Sequence, residues 1–273
     1  MTAKIDVKNI IAIASGKGGV GKSTLAINLA IALSHHARVG LLDADIYGPS
    51  QPVMLAAAHE KAQVADHKLQ PIMRCGLQTM SIGYLIDGTV PLAWRGPMLG
   101  KALQQLTFDT AWQALDYLVI DLPPGTGDVQ LTMCQKVPVT AAIMVTTPQD
   151  IALVDVRRAC EMFKKLNVPM LGIVENMSHF RCSHCGEITK LFSEGAAEKL
   201  KQAYGLPLLA SIPFDQQLHQ LTDTGQAGTL AATNPEIGAI FNALAQKVHD
   251  EIIHRPRDHS HHLKNIKIEV NPK

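Results

Sequence analysis

Short apolar runs recur along the chain, and stretches with helical spacing fall between most of them. Within each run, successive positions are apolar rather than alternate ones, which is typical of strands buried on both faces. The pattern predicts strands at "NIIAIAS", "RVGLLDAD", "DYLVIDLPP", "TAAIMVTTP", "VPMLGIVENM" and "LPLLASIPF". Buried strands that alternate with helices indicate an α/β fold with a mainly parallel sheet and helices on both faces.

The helical pattern is clearest directly after the first predicted strand. The segment "KSTLAINLAIALSHH" places Leu25, Leu29 and Leu33 on one face of a helix. Further helices are predicted at 99–106, 129–136, 152–166 and 196–204. The strands and helices form one continuous α/β pattern with no internal repeat, so we assign residues 1–248 to a single domain.

Two segments interrupt the alternation of strands and helices. Residues 59–77 are mixed in character and predict an excursion on the surface. Residues 249–273 carry five of the twelve histidines and form a predicted C-terminal tail, in which "NIKIEV" alternates like a short edge strand. Metal binding by this tail is one hypothesis, but a solvated polar tail is the simpler interpretation.

Composition and charge exclude several classes of partner. The 273 residues carry a net charge of +1 and only 4% aromatic side chains, so nothing favours binding to nucleic acid or to an anionic membrane. The sequence shows no secretory signal and no apolar stretch long enough to cross a bilayer. Five cysteines do not suggest a disulfide scaffold. These features predict a soluble, cytoplasmic protein.

A glycine-rich loop follows the first predicted strand and precedes the first predicted helix. Its sequence fits G-x-x-x-x-G-K-[ST], a phosphate-binding loop whose backbone N–H groups surround phosphate oxygens. Lys22 is predicted to reach the β- and γ-phosphates of ATP, and Ser23 to bind Mg²⁺. The residues predicted to bind ATP in this segment are Gly16, Lys17, Gly18, Gly19, Val20, Gly21, Lys22, Ser23 and Thr24.

Acidic residues end two of the other predicted strands. Asp121 terminates "DYLVID" and is predicted to be the carboxylate on the Mg²⁺ side of the site. Asp43 and Asp45 end "VGLLDAD". Of the two, Asp45 is the better candidate for orienting the attacking water. For Asp43, a structural role in a cap or a turn is the alternative to a role at the nucleotide. All these strand ends meet at the carboxyl edge of a parallel sheet, where α/β folds bind ligands.

The loop "GKGGVGKST" resembles the deviant Walker A loop of the MinD/ParA/nitrogenase iron protein class. The resemblance implies that the additional lysine, Lys17, reaches across a homodimer interface to the nucleotide of the partner. There it would neutralise negative charge in the transition state, much as an arginine finger does. Lys17 as a solvated loop residue is the alternative, which spacing alone does not exclude.

Longer stretches of the sequence resemble one family within this class. "DADIYGPSQP", "WRGPM", "DYLVIDLPPGTGDVQLT" and "GIVENMSHFRCSHCGE" are together similar to the Mrp/ApbC family of iron–sulfur carrier ATPases, over about residues 9–245. That similarity implies an adenine contact from Asn176 and a base pocket lined by the "IPFD" segment at Pro213. It also implies an interface or switch role for the block that contains Trp94 and Arg95.

Cys182 and Cys185 form a C-x-x-C motif near 179–186, for which three interpretations remain open. A redox dithiol usually opens a helix, which "GEITKLF" does not favour. A structural zinc site needs four ligands, and the motif supplies two thiolates. In the third interpretation two subunits share one [4Fe–4S] cluster. The family resemblance favours the shared cluster; the isolated Cys134 and Cys160 are most simply buried apolar residues.

Two hypotheses of function follow. In the first, the protein is a homodimeric ATPase that binds ATP and Mg²⁺, holds a [4Fe–4S] cluster between its subunits and transfers the cluster to apo iron–sulfur proteins. In the second, it is a positioning or partition ATPase of the ParA/MinD type, in which the cysteines form a zinc clasp. The sequence shows neither a basic amphipathic helix for a membrane nor a basic cluster for DNA, so the first is preferred.

Overall fold

The computed structural model describes residues 5–86, 96–182, 184–190, 192 and 196–254. Eleven strands run through these residues: β1 (Val7–Ser15), β2 (Val39–Asp43), β3 (Val64–Ala65), β4 (Lys68–Leu69), β5 (Ile72–Arg74), β6 (Leu77–Ser81), β7 (Leu115–Asp121), β8 (Ala141–Thr146), β9 (Met170–Arg181), β10 (Ile188–Thr189) and β11 (Leu208–Phe214). The helices are α1 (Lys22–Ser34), α2 (Gln51–Met54), α3 (Gly96–Phe108), α4 (Asp128–Lys136), α5 (Asp150–Lys165), α6 (Ala196–Tyr204), α7 (Gln216–Asp223), α8 (Leu230–Thr233) and α9 (Pro235–Ile253).

A nine-stranded sheet forms the centre of the molecule. Eight of its strands lie in the order β11-β9-β8-β1-β7-β2-β6-β5, and β10 pairs with the last residues of β9. The pairs within β11-β9-β8-β1-β7-β2-β6 are all parallel, whereas β5 and β10 pair antiparallel with their neighbours. Every residue of β2, β6 and β8 is buried, which the apolar sequences of β2 and β8 predict. The predicted mainly parallel sheet is confirmed.

Helices cover the two faces of this sheet because its crossovers run in opposite directions. From β1 the chain crosses through α1 towards β2, whereas from β8 it crosses through α5 towards β9 on the other side of β1. Right-handed crossovers in opposite directions place their helices on opposite faces. Because these strands are parallel, their carboxyl ends form one common edge. The phosphate-binding loop at residues 16–23 (the P-loop) and the acidic strand ends belong to this edge.

The surface excursion predicted at 59–77 is only partly what the structure shows. A small hairpin, β3–β4, is exposed there, but the chain then returns through β5 to β6, which is buried and pairs with β2. The strand β6 was not predicted from the mixed sequence "GLQTMS", because its polar residues Gln78, Thr79 and Ser81 are buried. Each of them finds a hydrogen-bond partner, which offsets the cost of burial.

The final helix, α9, passes through the predicted domain boundary at 248 and ends at Ile253. His249, placed in the tail by the sequence, hydrogen-bonds instead through Nδ1 with the hydroxyl of Tyr117 at 2.7 Å. The predicted strand "NIKIEV" lies outside the described residues, as do Trp94 and Arg95. Within the described ranges, no helix combines the length and apolar character that a membrane crossing requires.

Candidate nucleotide and cysteine sites

The P-loop lies at the carboxyl edge of the central strands. β1 ends at Ser15 and α1 begins at Lys22, so residues 16–21 form the turn between them. Two register pairs, Ile13 with Asp121 and Asp43 with Asp121, align the ends of β1, β7 and β2. The structure thus brings the predicted lysine, serine and aspartates to one place.

Steric limits explain the glycines of the loop. A Cβ on Gly16 would lie 2.2 Å from the carbonyl carbon of Asp155 and 2.4 Å from the amide nitrogen of Val156, so the loop is pressed onto the backbone of α5. Gly19 and Gly21 adopt φ values of +77° and +83°, which side chains disfavour. The loop therefore needs glycine at these positions.

Lys22 is buried, and its ammonium group forms an ion pair with Oδ1 of Asp121, which is itself fully buried. The same Nζ lies 3.4 Å from Oγ of Ser23. Buried charges of opposite sign must pair closely to offset the loss of hydration. This pairing therefore offsets the cost of burying both charges.

The two aspartates after β2 occupy different environments. Asp43 is fully buried, and burial followed by the neighbouring Asp121 carboxylate raises its pKa to about 8. Its Oδ2 accepts hydrogen bonds from the hydroxyl of Ser81 and the backbone N–H of Gln51, both at 3.2 Å. Asp45 is half-buried, and burial raises its pKa as well. Asp45 is thus partly exposed; its role in orienting the attacking water stays a prediction.

The donors at this edge fit Mg²⁺, which prefers oxygen ligands. Ser23 supplies a hydroxyl, and Asp43 and Asp121 supply carboxylates within the same register. Gln51, which the sequence did not single out, lies among them with an amide oxygen that is buried without a hydrogen-bond partner in the described part of the chain. Spacing gave no signal for Gln51, since its contact with Asp121 spans 70 residues of sequence.

Lys17 is half-buried, and its Nζ donates to Oε1 of Gln149 at 3.1 Å within the same chain. Gln149 is the residue immediately before α5, so the contact ties the P-loop to the beginning of that helix. Lys17 is therefore not simply a solvated side chain. In the single chain, however, it points to Gln149 rather than towards Asp121.

Asn176 and Pro213, predicted at the adenine base, lie on neighbouring strands. The register pairs Asn176 on β9 with Ile212 on β11, which places Pro213 beside it. Asn176 is 6% exposed, and its Nδ2 donates to the carbonyl of Val20 at 2.9 Å. The structure thus places Asn176 against the P-loop; its contact with adenine stays a prediction.

The cysteine motif forms a tight hairpin at the end of β9. Cys182 donates its amide to the carbonyl of Glu187, and Gly186 donates back to the carbonyl of Cys182, both at 2.9 Å. The chain then returns as β10, which pairs antiparallel with the end of β9. At the base of the hairpin, Arg181 donates to both carboxylate oxygens of Glu236 in the first turn of α9.

The hairpin stabilises a thiolate at Cys182. Hydrogen bonds from the backbone amides of Cys185 and His184, followed by one from the Cys185 side chain, lower the pKa of the Cys182 thiol. Hydrogen bonds to the charged form of a group favour that form. Cys182 is half-buried and Cys185 is exposed, so both sulfurs remain accessible.

Topology places this hairpin at the same edge of the sheet as the P-loop. At Phe180, β11 occupies one side of β9, so β10 must lie on the other side, beyond the end of β8. β8 ends only three residues before Gln149, the partner of Lys17. The cysteines and Lys17 therefore lie on the same edge of the molecule.

The described residues supply few further metal ligands beside the hairpin. Among the described ranges, no group of three or more His, Cys, Asp or Glu side chains is placed to hold a metal ion. Cys134 and Cys160 are buried, as predicted, and burial raises the pKa of each thiol to about 12. The two hairpin thiols therefore need ligands from elsewhere to complete a four-coordinate site.

The hairpin geometry predicts an order of thiol reactivity. In the metal-free protein at pH 7, iodoacetamide is expected to modify Cys182 several-fold faster than Cys75, because partial burial raises the pKa of Cys75. The advantage should shrink as the pH rises through the raised pKa of Cys75, where that sulfur ionises as well. Peptide mass spectrometry over time measures the rates. Equal rates at pH 7 would contradict the proposed hydrogen bonding, and Cys134 and Cys160 serve as unreactive controls.

Fold and site together define a P-loop NTPase. A nucleotide-binding protein of Archaeoglobus fulgidus, solved in complex with ADP, matches with a TM-score of 0.73 and 38% identity, over 82% of this chain and 88% of that one. MinD of Pyrococcus furiosus shares the fold at 23% identity, with a TM-score of 0.68 over 89% of this chain and 99% of its own.

Sequence similarity places the chain in one family within the P-loop NTPases. The family model described as ParA, NUBPL iron-transfer P-loop NTPase, matches residues 6–249. "Iron-sulfur cluster carrier protein" of Pseudomonas fragi is 53% identical over 88% of this chain and 85% of its own length. The protein of that name in Escherichia coli K12 is 52% identical over 89% of this chain, which spans only 66% of that relative. The chain belongs to the NUBPL iron-transfer P-loop NTPases, which confirms the resemblance seen in the sequence.

Proposed function

We propose that the protein is an ATP-hydrolysing carrier that binds a [4Fe–4S] cluster between two copies of itself and transfers it to apo iron–sulfur proteins. The observation that carries this proposal is the hairpin of Cys182 and Cys185. Its two accessible sulfurs are half of a four-thiolate site, and the described residues place no third and fourth ligand beside them. A two-fold axis beside the hairpin would supply the missing pair. The relatives named as cluster carriers support the same cargo.

The surface around the site supports a second copy as the partner. Four large apolar side chains lie near the carboxyl edge and are more than half exposed: Tyr47 (61%), Val53 (51%), Met98 (53%) and Val154 (53%). Each belongs to the segment or the helix that follows a strand of that edge. Contacts with a second copy along this edge would cover them. Burial of this edge in a dimer would also bring Lys17 and the cysteines close to their counterparts.

The nucleotide chemistry follows from the residues at the P-loop. Phosphate oxygens of ATP would replace Asp121 as the partner of Lys22, which frees Asp121 for the cation. Mg²⁺, when bound, neutralises charge on the β- and γ-phosphate oxygens. Ser23 and Asp121 would hold it, with Asp43 close by. Asp45 would orient the attacking water, and Lys17 of the partner would stabilise the charge on the transferred phosphoryl group.

A single strand links the two sites. Asn176, which contacts the P-loop at Val20, and Cys182 lie six residues apart on or next to β9. That is at most about 20 Å, because the strand is irregular at Met177 between them. A change in the loop on ATP binding or hydrolysis would therefore displace one end of the strand that carries the cysteines. We infer that β9 transmits the state of the nucleotide to the cluster.

Anaerobic reconstitution tests the proposal. The protein is incubated with iron and sulfide, and the absorption spectrum and the iron, sulfide and zinc contents are measured. A broad band near 400 nm with about four irons per two chains is expected for one shared [4Fe–4S] cluster. Tightly held zinc with no uptake of iron would contradict the proposal and favour the alternative, a positioning ATPase with a zinc clasp.

A further inference from the structure

Gln51 connects the three parts of the nucleotide site. Its Nε2 donates to Oδ2 of Asp121 at 2.8 Å and to the carbonyl of Ser23 at 3.1 Å, while its backbone amide donates to Oδ2 of Asp43. The ends of β2 and β7 and the first turn of α1 are therefore all joined to the first residue of α2. Only 1% of Gln51 is exposed.

The other half of the Gln51 amide is unsatisfied. Its Oε1 is buried and has no hydrogen-bond partner in the residues that the structure describes. The orientation of the amide is fixed, because Asp121 and the Ser23 carbonyl are both acceptors and must face the NH₂ group. A buried acceptor without a partner is costly, so such a group calls for a ligand.

We infer that Gln51 is a positioning residue of the Mg²⁺–nucleotide site. Its NH₂ group holds the Asp121 carboxylate in place once Lys22 turns to phosphate, and its Oε1 accepts a hydrogen bond from a water molecule bound to Mg²⁺. Mg²⁺ usually retains several waters, and these need acceptors at fixed positions. This inference rests on the proposed function, because it presupposes that the site binds Mg²⁺ with the nucleotide.

The simpler interpretation is that Gln51 only attaches α2 to the sheet. Gln78 offers a control for such a role, since it is a buried glutamine whose amide is fully used. Its Nε2 donates to the carbonyl of Gln113 at 3.2 Å, and its Oε1 accepts from the amide of the same residue at 2.8 Å. Gln78 is not a hydrogen-bond partner of Ser23, Asp43 or Asp121 in the described part of the chain, so loss of its amide tests the effect of removing a buried structural amide outside the nucleotide site.

The test is the affinity for a fluorescent ADP analogue, N-methylanthraniloyl-ADP, measured in Mg²⁺ and in EDTA. The substitution Gln51→Met keeps length and burial but removes the amide. We expect the affinity in EDTA to stay within about twofold of the wild type, and the gain in affinity on adding Mg²⁺ to fall by about tenfold, in line with loss of an outer-sphere contact of a metal. Gln78→Met should lower the melting temperature. It should leave unchanged the increase in affinity that Mg²⁺ causes, called the Mg²⁺ gain below.

Gln51→Glu separates the two halves of the amide, because it retains an acceptor at Oε1 but loses the donor to Asp121. A Mg²⁺ gain larger than that of Gln51→Met supports the water contact; a gain no larger overturns it. A full Mg²⁺ gain in Gln51→Met would overturn the inference altogether. If the wild type itself gains nothing from Mg²⁺, the proposed nucleotide chemistry fails and this inference fails with it, whereas a loss confined to the variants concerns Gln51 only.

Discussion

Replacing Cys182 and Cys185 together by serine is expected to reduce bound iron and the absorbance near 400 nm after reconstitution to less than about a tenth of the wild-type values, since iron–sulfur clusters require thiolate ligands. The affinity for ATP should change by less than about twofold, because the described contacts of the P-loop do not include the hairpin. Either single substitution should have nearly the same effect, since it removes two of four ligands from a shared site. Iron analysis and nucleotide titration of the same samples measure both quantities.

Cys75→Ser is the matched control for this experiment. Cys75 is also exposed, but it lies between β5 and β6, away from the hairpin. It should retain full cluster loading. Loading of the double variant to the wild-type level would show that the cluster binds elsewhere and would refute the proposed site.

Lys17→Ala is expected to lower the rate of ATP hydrolysis by about 10³-fold, the lower end of the range for a cation supplied by a partner to phosphoryl transfer. The affinity for ADP should change little, because Lys17 in the single chain contacts Gln149 and not the residues around Asp121. Steady-state phosphate release and nucleotide titration distinguish the two effects. Unchanged hydrolysis would exclude Lys17 from the chemistry.

A mixture of two inactive variants tests whether Lys17 acts on its own nucleotide or on that of the partner. In a mixed dimer of Lys17→Ala and Asp45→Ala chains, one site would combine an intact Asp45 with an intact Lys17 of the partner. Random mixing makes half of the dimers mixed, so about a quarter of the wild-type activity should return in a two-fold symmetric dimer. No recovery, with mixed dimers demonstrated, would show that Lys17 acts within its own chain.

The sequence predicted best those features that depend on neighbouring residues. The P-loop is a local turn whose glycines, lysine and serine are adjacent, and the aspartates were predicted because each ends an apolar strand. Gln51 and Gln149 were missed because their partners, Asp121 and Lys17, are far away in sequence. The strand β6 was missed for a related reason, since its buried polar side chains look exposed until their long-range hydrogen-bond partners are known.

The extent of α9 shows the same limit. Histidine and charge near its end suggested a solvated tail, but Val248 and Ile252 are buried, and the contact of His249 with Tyr117 fixes the last turns. Helix length was decided here by packing rather than by local composition. The positions of the cysteine hairpin and of Lys17 on one edge likewise depend on strand order, which the sequence does not give directly.

Native mass spectrometry of the anaerobically reconstituted protein tests the central claim most directly, because it counts clusters and chains in the same particle. We expect each dimer to contain one [4Fe–4S] cluster and each single chain to contain none. A cluster retained by single chains, or two clusters in each dimer, would contradict the shared site formed by Cys182 and Cys185 of two copies.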